Sequence, residues 1–142
     1  MPLANLDALD NAFYARPKIG VIGAGRLGIC FALLVSRAGY DVIVSDVRES
    51  YVKSLQEKKI STNEPLVEDL LKDSDIKATT SNRDVIKEAD IIYTFVATPS
   101  LKDGSYDVSA VDKVVSDIDQ TGWATTGPNG STICGKTFVV GC

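Results

Sequence analysis

Histidine is absent from the 142-residue chain, and cysteine, methionine and tryptophan number three, one and one. Without histidine the commonest general base is missing, and with it every Ser-His-Asp or Cys-His arrangement. Cys30, Cys134 and Cys142 are odd in number and lack CxxC spacing, so they read as reduced thiols, neither a disulfide framework nor a zinc set. A net charge of -4 with no basic block argues against a nucleic-acid surface. The longest apolar run, Ile29 to Val35, falls well short of the roughly 20 residues a membrane span needs. The opening MPLANLDALDNAFYARP carries two aspartates and no basic region ahead of an apolar stretch, which is not a secretory pattern, and a cytoplasmic setting is expected. Any chemistry the chain supports must therefore come from a bound cofactor or from residues outside it.

The composition is ordinary for one globular domain, with 44 % hydrophobic and 24 % charged residues. Residues 1–17 form a lead-in in which Leu3, Leu6, Leu9 and Phe13 recur at roughly helical spacing, as a short docking helix would. Strand-like and helical runs then alternate. Strands are expected at Lys18–Ile22, Val42–Ser45, Ile76–Thr79, Ile91–Val96 and Thr137–Val140; helices are expected at Gly25–Ala38, Glu49–Glu57, Leu66–Leu71, Arg83–Glu88 and Ser109–Ile118. Gly39 is placed to cap the first helix, and Gly127, Pro128, Asn129 and Gly130 mark a loop. Such alternation means a parallel sheet covered on both faces. The last residues, Val139-Val140-Gly141-Cys142, fall at the end of a strand, as at a boundary inside a longer protein.

The stretch KIGVIGAGRLGICFALLVSRAGYDVIVSDVRES joins a strand, a GxGxxG turn and a helix. In that order Gly23 makes the tight turn, Gly25 lets the backbone approach a pyrophosphate, and Gly28 lets the helix pack on the strand. The helix end offers unpaired N–H groups and a positive dipole to phosphate. Leu27, Phe31, Leu34 and Ala38 are expected to form the face that lies against the sheet. The next strand ends at Asp46, about 20 residues on, where an acid bonds the ribose hydroxyls of NAD. That carboxylate opposes the extra phosphate of NADP, to which Arg48 leaves an opening. A tight connection without a ligand is the competing reading of the glycines. The expected fold is α/β, a Rossmann-type doubly wound parallel sheet of about six strands with helices on both faces.

From Lys18 to Cys142 the chain resembles the N-terminal domain of the UDP-glucose/GDP-mannose dehydrogenase family. NEPLVEDLL (63–71) is similar to the family's Glu-Pro loop and helix, ADIIYTFVATPS (89–100) to its strand and ThrPro turn beside the cofactor, DGSYDVSAVDKVV (103–115) to the entry into its next helix, and GKTFVVGC to the strand before its Ser-Thr-Val turn. The resemblance divides the chain into an extension, 1–17, and an NAD-binding Rossmann domain, 18–142, with the family's catalytic and C-terminal domains absent. It implies oxidation of a nucleotide-sugar C6 alcohol to a carboxylate by NAD, through a catalytic cysteine that none of Cys30, Cys134 and Cys142 replaces. No catalytic residue is therefore assigned, and the piece alone is expected to bind NAD without turnover.

The cofactor contacts the resemblance carries over are Gly23, Ala24, Gly25, Arg26, Leu27 and Gly28 at the pyrophosphate, Asp46 at the ribose, and Thr98, Pro99 and Ser100 at the strand end. For the last three an ordinary strand exit is the alternative. Arg26 stands where the family commonly has an aromatic residue, meeting either pyrophosphate or solvent, and Tyr51 stands where a base often assists the acid. Glu64 lies near the sugar nucleotide or caps the following helix. The implied partners are NAD and, in the full-length protein, a UDP- or GDP-linked sugar and a second copy as a homodimer. No nucleic acid or membrane is expected as a partner. Two further readings remain: a non-catalytic NAD-responsive module, and the N-terminal domain of a 3-hydroxyacyl-CoA or 6-phosphogluconate type dehydrogenase, against which the NEPL and ThrPro segments speak.

Overall fold

The computed structural model describes residues 16–121 and the backbone of residues 124–126, 132–134 and 137–140. In chain order the elements are β1 (Ile19–Ile22), α1 (Arg26–Arg37), β2 (Val42–Ser45), α2 (Glu49–Gln56), α3 (Val67–Lys72), β3 (Lys77–Thr79), α4 (Asn82–Glu88), β4 (Ile91–Thr94), α5 (Ser109–Thr121), β5 (Ala124–Thr126), β6 (Thr132–Cys134) and β7 (Thr137–Val140). Five strands form one parallel sheet in the order β3-β2-β1-β4-β7. The expected sheet of about six strands thus numbers five among the described residues, in the order of the doubly wound nucleotide-binding fold.

The central strands are short β-branched runs because both of their faces are covered. Side chains alternate across the sheet. Ile19 and Val21 of β1 and Val42 and Val44 of β2 enter one core with Ile29, Ala32 and Leu33 of α1, Leu55 of α2, and Val67 and Leu71 of α3. Ile22, Ile43 and Ile92 enter the other with Val85 and Ile86 of α4, Ala89, and Val114 of α5.

The face that α1 turns to the sheet differs from the expected one. Gly28, Ile29, Ala32 and Leu33 are buried, whereas Leu27 and Leu34 are 56 % and 58 % exposed and Ala38 lies at the surface. Phe31 is partly buried and meets Tyr93, ring centroids 4.6 Å apart. The sequence ICFALLV is apolar all round, so its periodicity does not choose a face. Gly28 chooses it: a Cβ there would collide with the Gly23 carbonyl oxygen, so the missing side chain lets the helix approach the turn on this face. Gly39, just past α1, has φ +95° and closes the helix as expected.

Other departures are smaller. β4 stops at Thr94, short of Val96: the Phe95 N–H still donates to the Ile22 carbonyl at 2.7 Å, after which the chain leaves the sheet. Helix α5 runs on to Thr121, and β5 and β6 pair antiparallel where only a loop is expected. The lead-in Leu3, Leu6, Leu9 and Phe13, the loop residues 127–130 and Cys142 lie outside the described residues. No helix among the described residues is long and apolar enough to cross a membrane.

Gly28→Ala is expected to lower unfolding stability by about 1–3 kcal/mol, the usual cost of overpacking. Urea unfolding checks this; an unchanged midpoint would mean that Gly28 does not face the strand.

Candidate cofactor site

A crevice opens beyond the carboxyl ends of β1, β2 and β4, where the strand order reverses about β1. Ligands of open parallel sheets collect at such a point. Its floor is the turn between β1 and α1. Gly23 has φ +94°, its N–H donates to the Ser45 carbonyl at 2.9 Å, and a Cβ on it would stand 2.8 Å from the Phe95 carbonyl. Gly25, the N-cap of α1, is different: a Cβ there would meet nothing within 4 Å. That open side is where a ligand can come against the backbone.

The first hydrogen bond of α1 runs from the Ile29 N–H to the Gly25 carbonyl at 2.9 Å. No side chain caps this helix end, and no acidic residue stands in its first turn. The amides of Arg26, Leu27 and Gly28 therefore retain the character of an anion-binding helix terminus. Ala24 is buried, and the side chains of Arg26 and Leu27 point outward, so these three would act through their backbone. Arg26 Nε bonds Glu64 Oε1 at 2.8 Å, which is where the side chain goes. Glu64 does not cap the helix after it. The N-cap of α3 is Leu66, left-handed at φ 65° and without a side-chain cap bond.

Asp46 follows β2 directly and is 8 % exposed. Arg48 grips it as a fork, Nε to Oδ1 and Nη2 to Oδ2, each at 2.9 Å, while the Arg48 N–H donates to Oδ1 at 3.0 Å. Burial pushes the Asp46 carboxyl up, but the bonds from Arg48 outweigh it and hold the group below the usual carboxylate range. The carboxylate is charged at neutral pH and keeps acceptor capacity for a donor such as a hydroxyl. Arg48 lies 4.2 Å above the centre of the Tyr51 ring, and the Tyr51 hydroxyl donates to the Ala24 carbonyl at 2.6 Å. Tyr51 therefore ties α2 to the glycine turn and shelves the guanidinium. To meet the extra phosphate of NADP, Arg48 would have to leave this fork.

Beside Asp46 lies a largely apolar cavity of about 410 Å³, bounded by Gly23, Gly25, Asp46, Val47 and Arg48 on one side and by Val96, Ala97, Ala110, Lys113 and Val114 on the other. A polar chain in which Ser45 and Asp117 are buried braces its wall: Ser45 donates to Asn82 Oδ1 at 2.8 Å, Asn82 Nδ2 donates to Asp117 at 3.0 Å, and the exposed Lys113 pairs with Asp117. Burial raises the Asp117 carboxyl, and the bonds from Lys113 and Asn82 more than reverse it. The sequence reading missed Asn82 and the α5 wall. The signal for the wall was the i, i+3, i+4 spacing of Ala110, Lys113 and Val114, which puts them on one helix face.

Thr98, Pro99 and Ser100 come next along the chain from Ala97 but are not among the walls of this cavity. Thr98 is half-buried; Pro99 and Ser100 are exposed at the base of a loop closed by the Ser100–Tyr106 bridge and by the Asp107 N–H donating to the Pro99 carbonyl at 2.8 Å. Cys30, on α1, is half-buried with a thiol raised mainly by burial, the behaviour of a packing residue. Among the described residues no group of three or more His, Cys, Asp or Glu could hold a metal ion.

Residues 17–137 match the family model of the UDP-glucose/GDP-mannose dehydrogenase family, NAD binding domain. An uncharacterised protein of Methanocaldococcus jannaschii is 38 % identical over 110 residues, covering 72 % of this chain and 12 % of that protein. UDP-glucose 6-dehydrogenase of Bacillus subtilis is 32 % identical over 107 residues, covering 72 % of this chain and 23 % of the enzyme. The crystal structure of a ternary complex of GDP-mannose dehydrogenase from Pseudomonas aeruginosa superposes with a TM-score of 0.75 at 25 % identity, over 87 % of this chain and 28 % of that one. The chain thus spans between about an eighth and a little over a quarter of the length of these proteins. It belongs to the UDP-glucose/GDP-mannose dehydrogenase family, whose NAD-binding domain it represents.

Proposed function

We propose that the crevice holds NAD in the following way. The amides of the turn Gly23, Ala24, Gly25, Arg26, Leu27 and Gly28 take the pyrophosphate, Asp46 accepts from the ribose hydroxyls with Arg48 keeping it charged and oriented, and the apolar cavity beside it takes the adenine. Thr98, Pro99 and Ser100 flank the cofactor at its strand-end side. The observation that carries this reading is the joint position of an uncapped helix end and a charged, buried carboxylate on one crevice. In the same reading residues 18–142 form the domain and 1–17 an extension to it.

When bound, NAD supplies a hydride acceptor; the residues of this chain bind and orient it and keep water from its adenine side. The names of the relatives support a full-length protein that oxidises the C6 alcohol of a nucleotide sugar. The nucleophile that reaction needs is not assigned to any residue here.

Asp46→Ala removes a charge-assisted hydrogen bond, and the NAD dissociation constant is expected to rise by about tenfold to a hundredfold. An unchanged constant in a titration of the folded variant would contradict the ribose assignment. The chain by itself, mixed with NAD and UDP-glucose, is expected to give no NADH absorbance at 340 nm, the band at about which reduced nicotinamide is read. Sustained NADH production would show that the chain contains its own catalytic group.

A further inference from the structure

Arg48 caps the amino end of α2 and Tyr51 follows it three residues on, so the two side chains meet on one helix face. Val52 and Leu55 are buried and set the rotation of α2, which turns Tyr51 toward the glycine turn, where its hydroxyl donates to the Ala24 carbonyl at 2.6 Å. Burial pushes the Tyr51 hydroxyl up, so it stays a donor at neutral pH. The ring is thus anchored at both ends, by the helix and by the turn, and the Arg48 guanidinium lies 4.2 Å from its centre. Crowding does not hold Arg48 there. Its side chain is more than half exposed, and a cleft of about 390 Å³ walled by Ser50, Tyr51, Ser54, Lys59 and Ser61 opens beside it. The guanidinium has room to turn, and what keeps it on Asp46 is the fork itself and the ring it rests on. The Arg48 N–H bond to Asp46 belongs to the backbone and survives such a turn.

We propose that Tyr51 is a specificity-determining residue of this site: its ring holds the Arg48 guanidinium on Asp46 and so withholds it from a phosphate on the 2′ oxygen of the adenosine ribose. This inference rests on the NAD site proposed above, in which Asp46 reads the ribose hydroxyls. A 2′-phosphate arriving there meets the Asp46 carboxylate and is repelled unless a cation turns to it. Arg48 is the cation already in contact with Asp46, and a guanidinium suits phosphate. To serve it, Arg48 must give up two charge-assisted bonds and the face of the ring. Without the ring the turn becomes easier, while the carboxylate and the glycine turn stay in place. Tyr51 acts on the cofactor through Arg48, as a positioning residue.

Titration of the full chain and its variants with NAD and with NADP tests this through the ratio of the two dissociation constants, since a merely structural loss raises both constants together. Tyr51→Leu and the longer Tyr51→Met both remove the ring, and circular dichroism verifies the fold of each. Either is expected to move the ratio toward NADP by about threefold to tenfold. Tyr51→Phe, which keeps the ring, is expected to keep the ratio of the unaltered chain. In an Arg48→Ala background the loss of the ring is expected to leave the ratio unmoved, because the cation it would release is gone. With NAD binding intact in the unaltered chain, a ratio that neither ring-removing variant moves would overturn this inference alone, as would a shift of the same size in the Arg48→Ala background. Binding of neither cofactor by the unaltered chain would overturn the NAD reading and this inference with it.

Discussion

The close approach of α1 to the end of β1 is the constraint on which the rest of this structure depends. A side chain at Gly28 would collide with the Gly23 carbonyl, so the contact exists only because both positions are glycine, one for its size and the other for its φ of +94°. That single contact sets the rotation of α1 about its axis. Ile29, Ala32 and Leu33 then face the sheet, Leu27 and Leu34 face away, and the helix end stands at the crevice with its amides unspent. The burial of α1, the placement of its amino end and its exposed surface thus have one steric origin.

The second organising feature is electrostatic. Burying Asp46 without a partner would favour its neutral form, which could no longer accept from a ribose as a carboxylate does. Arg48 prevents this with two side-chain bonds and one backbone bond, and is itself held over the Tyr51 ring, whose hydroxyl reaches back to Ala24. Asp46 and the glycine turn are therefore linked mechanically through Arg48 and Tyr51. On the far wall, the Ser45–Asn82–Asp117–Lys113 chain does the same for α5, joining the residue before Asp46 to a helix from much later in the sequence.

Much of this was legible in the sequence because it is local. The strand, glycine turn, helix and acid occur within Lys18–Asp46, each with its own residue signature, and the alternation of elements implies the parallel sheet. The rotation of α1 was not legible from its pattern: leucines at 27, 33 and 34 satisfy either face, and the steric role of Gly28 outweighs the hydrophobic count. The pairing of Arg26 with Glu64, and of Arg48 with Asp46 in place of a phosphate, depends on side-chain approach that spacing does not encode. The cavity wall from Asn82, Ala110, Lys113 and Val114 joins segments far apart in sequence, so only the fold assembles it. The short β5–β6 pair lies in a stretch whose Gly, Pro and Asn residues signal a turn more strongly than Thr and Ile signal its strands.

The central claim is that this crevice is a working site selective for NAD. Isothermal titration of the chain with NAD, and with NADP in parallel, tests it most directly. The account predicts saturable binding of NAD and affinity for NADP weaker by about tenfold or more, because the added phosphate meets the charged Asp46 and finds Arg48 already engaged. Saturable binding of NADP as tight as that of NAD, or of neither, would contradict it.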